Sequence, residues 1–148
     1  MTSTVKFRRL ASRSPGATRA GTRTRVLAVL ELVTGAMAVA GGVLLAAVPD
    51  GSLLRADPQT LTGTPFGDWR VPGLLLATLV GSGFLLAAYW QWRDRWHARH
   101  LSIFAGAGLI AFEAAEVALI GFQPLEAVFA AVGVIVLLLA WRNPGKRP

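Results

Sequence analysis

The sequence predicts an all-α polytopic membrane protein, a four-transmembrane-helix bundle with both its N and C termini in the cytoplasm. Three observations predict it. The chain is 53% hydrophobic and only 16% charged over 148 residues, where a soluble domain carries about 25% charged residues. Its charges are clustered, leaving four apolar runs, each able to cross all or nearly all of a bilayer core of about 30 Å. Thirteen of the fifteen Lys and Arg fall in the two tails and one loop, which an even number of spans would place on one side.

Taken in order, residues 1–25 hold seven of the basic residues, no acidic one and no apolar periodicity. They read as a disordered basic tail. Residues 26–141 form the transmembrane domain, with spans near 26–48, 71–90, 101–120 and 125–141. The first run, with Glu31 its only charge, is longer than the about 7–15 apolar residues of a signal peptide and reads as an anchor. Pro49-Asp50-Gly51 supplies turn residues that end it. The outer loop, 49–70, is the longest connection. Asp57-Pro58 within it has the form of an N-cap followed by Pro at the first helical position. Trp69 suits the headgroup level. Pro72 sits in the first turn of the second span, where it removes no helix hydrogen bond. Gln91 to His100 is a short aromatic and basic loop, and a turn at Gly121-Phe122-Gln123-Pro124 joins the last two spans. Residues 142–148 form a second basic tail.

The Lys and Arg count sets the orientation. The two tails and the central loop hold thirteen, while the other connections hold only Arg55 and Arg70. The positive-inside rule then puts the tails in the cytoplasm. A net charge of +7 would suggest nucleic acid in a soluble protein. Here the basic residues flank apolar runs, which points to the lipid bilayer and anionic headgroups as partners and not to nucleic acid. With no cysteine, disulfides, thiolate zinc sites and dithiol chemistry are excluded. His97 and His100 alone make an incomplete ligand set, so no metal is expected. The chain shows no phosphate-binding loop, nucleophile elbow or zinc-protease motif. It reads as no enzyme and as needing no cofactor. Abundant Ala, Gly and Arg with few Lys points to a high-GC bacterium and its plasma membrane.

Ionisable residues inside spans are the candidates for function. Glu113 and Glu116, three apart, share a face of the third span. Two carboxylates that close in a low dielectric resist ionising together, which suits a proton or cation site. The alternative is a polar pair satisfied by Thr34, Thr78, Ser82 or Gln123, or by Arg70 reaching down from the second span. Glu31 lies about 9 Å into the first span, six residues past Arg25, where Arg93 is the expected partner in a structural ion pair. Glu126 opens the fourth span, where a helix N-terminus favours a carboxylate. Gly35, Gly41, Gly42, Gly81, Gly83, Gly106, Gly108 and Gly133 would let helices approach closely, within the bundle or in a homo-oligomer or with a membrane protein partner.

Pro49-Asp50-Gly51, the segment Thr64-Pro65-Phe66-Gly67-Asp68-Trp69 and Val71-Pro72-Gly73 resemble a group of small four-helix bacterial, actinobacterial-like membrane proteins. That group shares a [ST]-P-F-x-D…P-G lead-in to the second helix. Leu119-Ile120-Gly121-Phe122-Gln123-Pro124 fits its turn before the fourth helix more loosely. The resemblance covers about residues 26–140; it implies the topology and no activity. The first functional expectation is therefore a structural or partner-binding bundle. The alternative is a small proton-coupled transporter or ligand-binding protein using Glu113 and Glu116.

Overall fold

A computed structural model describes residues 15–93 and 97–142 of the chain. They form four long helices and no strand. Helix α1 is Pro15–Ala47, α2 is Arg70–Trp92, α3 is Ala98–Ile120 and α4 is Pro124–Trp141. Their apolar portions contain 27, 23, 23 and 18 residues, or about 27–40 Å at 1.5 Å per residue. All four are long and apolar enough to cross a membrane. Large apolar side chains also cover the outside: Met37, Leu79, Phe104, Leu138 and Trp141 are all exposed. Water would not tolerate so continuous an apolar surface, whereas hydrocarbon favours it.

Two sequence expectations need correction here. Residues 15–25, expected to be disordered, continue α1. The apolar span nucleates the helix, each further residue adds one hydrogen bond, and Pro15, Ala17 and Ala20 are compatible with its first turns. Residues 1–14 and 143–148, the rest of the two expected tails, lie outside the described residues. The central loop is also shorter than expected, because Gln91 and Trp92 belong to α2 and Ala98 to His100 belong to α3.

The helices pack antiparallel in two pairs, α1 with α2 and α3 with α4, joined mainly by α2 against α3. Leu27, Phe84, Leu109, Val136 and Ala140 form the shared core. Each pair closes on small residues, as expected where lipid supplies no hydrophobic drive between helices. A Cβ at Gly42 would come 2.4 Å from the Gly73 carbonyl oxygen, and one at Gly133 would come 3.0 Å from that of Gly106. Gly35 and Gly81 serve the first seam in the same way. Gly41, Gly83 and Gly108 face open space, so only part of the small-residue set is used for packing.

Helix α2 widens to a π-helix over Leu76–Gly81. The Thr78 hydroxyl donates to the Leu74 carbonyl at 2.6 Å, and the Ser82 hydroxyl donates to that of Thr78. Side-chain hydroxyls thus serve carbonyls where the regular ladder is interrupted.

One end of the bundle carries the 48–69 and 121–123 connections, and we term it the loop end. The other carries residue 142 and the 93–97 connection, and is the tail end. The expected helical turn after Asp57 is a 3-10 helix, Pro58–Leu61, capped by Asp57 accepting from the Gln59 amide at 2.9 Å.

Candidate functional site

On α3 the buried residues are Ala98, Ser102, Gly106, Leu109 and Glu113, a stripe at the three-to-four spacing of one helix face. This stripe places a hydroxyl near the tail end and a carboxylate towards the loop end. Glu113 is only 4% exposed, and its Oε2 makes no hydrogen bond. Glu116, one turn on, is half-buried. It lines a pocket of about 140 Å³ with Leu61, Phe66, Trp69, Leu75 and Leu119 among the walls. Glu126 is buried at the start of α4. Glu113, Glu116 and Glu126 lie within electrostatic range of one another.

Glu126 has the helix-terminal role its position predicts. Its carboxylate accepts from the Gln123 amide at 2.9 Å, and the Gln123 side chain accepts from the Glu126 amide in return. This reciprocal capping box satisfies two amides at the helix start. Gln123 itself is exposed, and its side-chain oxygen is given to this box. Thr78 and Ser82 are exposed and donate to carbonyls of their own helix. Arg70 is exposed and forms no ion pair among the described residues. Of the partners expected for Glu113 and Glu116, Arg70, Thr78, Ser82 and Gln123 are thus turned to other surroundings.

The loop motif is a scaffold for this end. The Thr64 hydroxyl donates to the Leu61 carbonyl at 2.8 Å and accepts from the Phe66 amide. Asp68 accepts from the Arg70 amide at 2.9 Å at the start of α2, and Pro72 and Gly73 occupy the first turns. Gly73 meets α1 at Gly42. Pro65 is exposed, and nothing in the structure explains it. Trp69 is only 7% exposed. Its amide donates to the Pro49 carbonyl, its ring lies against Gly51, and its indole Nε1 has no partner. It forms a wall of the pocket that Glu116 lines.

A second polar group lies at the tail end. Glu31 is fully buried with neither carboxylate oxygen hydrogen-bonded. The Ser102 hydroxyl stands beside it. The Gln91 amide nitrogen donates to Ser102 Oγ at 2.9 Å, and Ser102 Oγ donates to the Ala98 carbonyl at 2.9 Å. The expected Glu31–Arg93 pair does not form. Arg93 follows the end of α2, exposed, with its guanidinium 5.2 Å from the centre of the Tyr89 ring. Gln91 and Ser102 are the residues that sequence reasoning missed. The usable signal is Ser102, the lone hydroxyl residue of the third apolar run; Gln91 falls just beyond the second.

No three His, Asp or Glu side chains among the described residues converge closely enough to hold a metal ion. Between α2 and α3, a further groove of about 320 Å³ is lined by Leu79, Val80, Ala105, Leu109, Phe112 and other apolar residues. It offers no polar side chain to a ligand. Comparison with known protein families, curated proteins and solved structures finds no match for this chain.

Proposed function

We propose that this chain is a non-enzymatic multi-pass protein of a bacterial plasma membrane that binds a small amphipathic cation at its loop end. Its thirteen-to-two basic bias supports insertion with both termini in the cytoplasm, so that the loop end faces outward. One observation carries the binding reading. Glu116 opens into an otherwise apolar pocket, with two more carboxylates in range and no described cation paired to them.

The chemistry follows from those walls. Leu61, Phe66, Leu75 and Leu119 would take a hydrocarbon group, and Glu116 would take an ammonium. The Trp69 ring adds a surface that attracts cations. A bound positive charge would also relieve the mutual repulsion of the three carboxylates. Since those carboxylates do not converge on one point, a diffuse organic cation suits them better than a metal ion.

Titration calorimetry of the full-length protein in detergent with butylammonium, and with butanol as the neutral counterpart, tests the reading. Saturable binding is expected for the ammonium alone. Glu116→Gln should weaken it at least about tenfold, or about 1.4 kcal/mol. Equal binding of the alcohol, or an unchanged affinity in the variant, refutes the proposal.

A further inference from the structure

The inventory of hydrogen-bonding groups around Glu31 is nearly closed. A serine hydroxyl has one proton to donate and two lone pairs to accept with. Ser102 gives its proton to the Ala98 carbonyl and uses one lone pair for the Gln91 amide. One lone pair remains, and Glu31 is the group beside it. In this arrangement a bond between Glu31 and Ser102 can only be donated by Glu31, which requires a proton on its carboxyl.

An ionised Glu31 needs a different arrangement. Its Ser102 neighbour would swing its proton off the Ala98 carbonyl and onto the carboxylate, while Gln91 keeps its own bond. The Ala98 carbonyl still has the α-helical amide of residue 102, so releasing the hydroxyl leaves no orphan. Each protonation state can therefore make one bond to Ser102 within one packing of the helices, the two differing by the rotation of one hydroxyl.

No cation competes for the role. Among the described residues, the ionisable groups at this end are Arg23 and Arg25 on α1, Tyr89 on α2 and Arg93 after it, His97 before α3, Arg99 and His100 on α3, and Arg142 after α4. Arg99, three residues before Ser102, is half-buried with its Nε unpartnered. None of these groups bonds Glu31, neither of whose carboxylate oxygens has a hydrogen-bond partner. Leaving an ionised carboxylate unpaired in such surroundings is costly, and a proton is the smallest group that removes the charge.

We propose that Glu31, Ser102 and Gln91 form a buried proton-binding site at the junction of α1, α2 and α3. The step is a simple exchange: the Glu31 O–H bond breaks, the proton leaves to water through a transient opening of the helix contact, and the Ser102 hydroxyl turns to the carboxylate. Uptake reverses it. The site takes a proton and no larger ligand, since the carboxylate is sealed by its own helices. It is independent of the pocket at the loop end.

The test is infrared difference spectroscopy of the full-length protein in phosphatidylethanolamine–phosphatidylglycerol vesicles, titrated between about pH 5 and 9, a range that covers buried carboxyls. A protonated-carboxyl band is expected to appear and vanish reversibly, and to be absent in Glu31→Gln. Ser102→Ala should keep the band but shift its frequency, because the acceptor of the carboxyl proton is gone. This second variant removes one oxygen and keeps the test valid if Glu31→Gln fails to fold. The same titration with sodium replaced by N-methylglucamine should be superimposable. A band that never titrates, a band unmoved by Ser102→Ala, or a midpoint that follows sodium would overturn the proposal.

Discussion

The two ends of the bundle treat carboxylates in opposite ways. At the tail end, Glu31 is wholly buried among side chains from three helices, with a hydroxyl and an amide beside it. At the loop end, Glu113 and Glu126 are buried, but Glu116 opens into a pocket roofed in part by Leu61, Phe66 and Trp69. Burial alone does not separate them, since Glu31 and Glu113 are both nearly out of solvent. What separates them is adjoining space. A sealed carboxylate can exchange only a proton, whereas one beside an apolar pocket can also receive an organic cation.

The largest effect should come from breaking both ends at once. Gly42 lets α1 and α2 touch, and these helices carry Glu31 and Gln91 at one end and lead into Trp69 at the other. A Cβ there would meet Gly73 and Ala77 backbone atoms at 2.4 and 2.7 Å. Backbone cannot swing aside as a flexible side chain can. Gly42→Leu should lower the unfolding midpoint in a dodecyl sulfate titration by an amount worth about 1–3 kcal/mol, the usual cost of overpacking. The Glu31 band and ammonium binding should be lost together. Gly41→Leu, facing open space, should leave all three readouts unchanged. Should the two variants behave alike, the seam does not hold the ends in place.

A smaller change should separate the ends. Gly51 has φ +72°, and a Cβ there would come 2.1 Å from the Ala56 carbonyl oxygen and 2.9 Å from the Trp69 ring. An alanine in left-handed backbone costs about 1–2 kcal/mol, and the clash forces the loop off Trp69 besides. Gly51→Ala should cut butylammonium affinity about tenfold, or about 1.4 kcal/mol, while the Glu31 titration stays as it was. If the Glu31 band moves too, the ends are coupled and cannot be treated as separate sites.

The four spans were legible because hydrocarbon imposes one crude requirement on some twenty residues at a time. Their ends were less so. Arg19 and Arg23 read as tail chemistry, yet a helix already nucleated by a span carries through them, and Gln91 and Trp92 were lost to a loop for the same reason. Candidate carboxylates were legible too, since a charge in an apolar run stands out. Their partners were not. Arg93 had the right distance along the axis for Glu31, but it lies past the end of α2 and turns to Tyr89. Ser102 meets Glu31 through the packing of non-consecutive helices, which no spacing along the chain encodes. The burial of Trp69 was not legible either, because an aromatic at the start of an apolar run has two ordinary uses, and the loop's folding over it at Gly51 is a long-range contact.

The smallest expected effect separates the loop's own chemistry from that of the carboxylates beneath it. Asp50 is exposed and accepts from the Ser52 amide at 3.0 Å and hydroxyl at 2.8 Å. These bonds hold its carboxyl below the ordinary aspartate range. With the folded value depressed, the contribution of these bonds is present above the unfolded value, about 3.9, and is lost as pH falls through the lower folded one. The protection of the Ser52 amide, its exchange by NMR in micelles relative to the base-catalysed rate of an open amide at the same pH, should therefore stay constant from neutrality to about pH 4 and fall only below it. Asp50→Asn should show a mildly quickened exchange already at neutral pH. Trp69 gives the contrast, since it belongs to both the loop and the pocket. A change in its indole signal that tracks Ser52 in acid comes from the loop, and one nearer neutrality, with Ser52 unmoved, comes from the carboxylates below. The second result would place the titrating group of this end at Glu113 or Glu116 and make Trp69 its reporter.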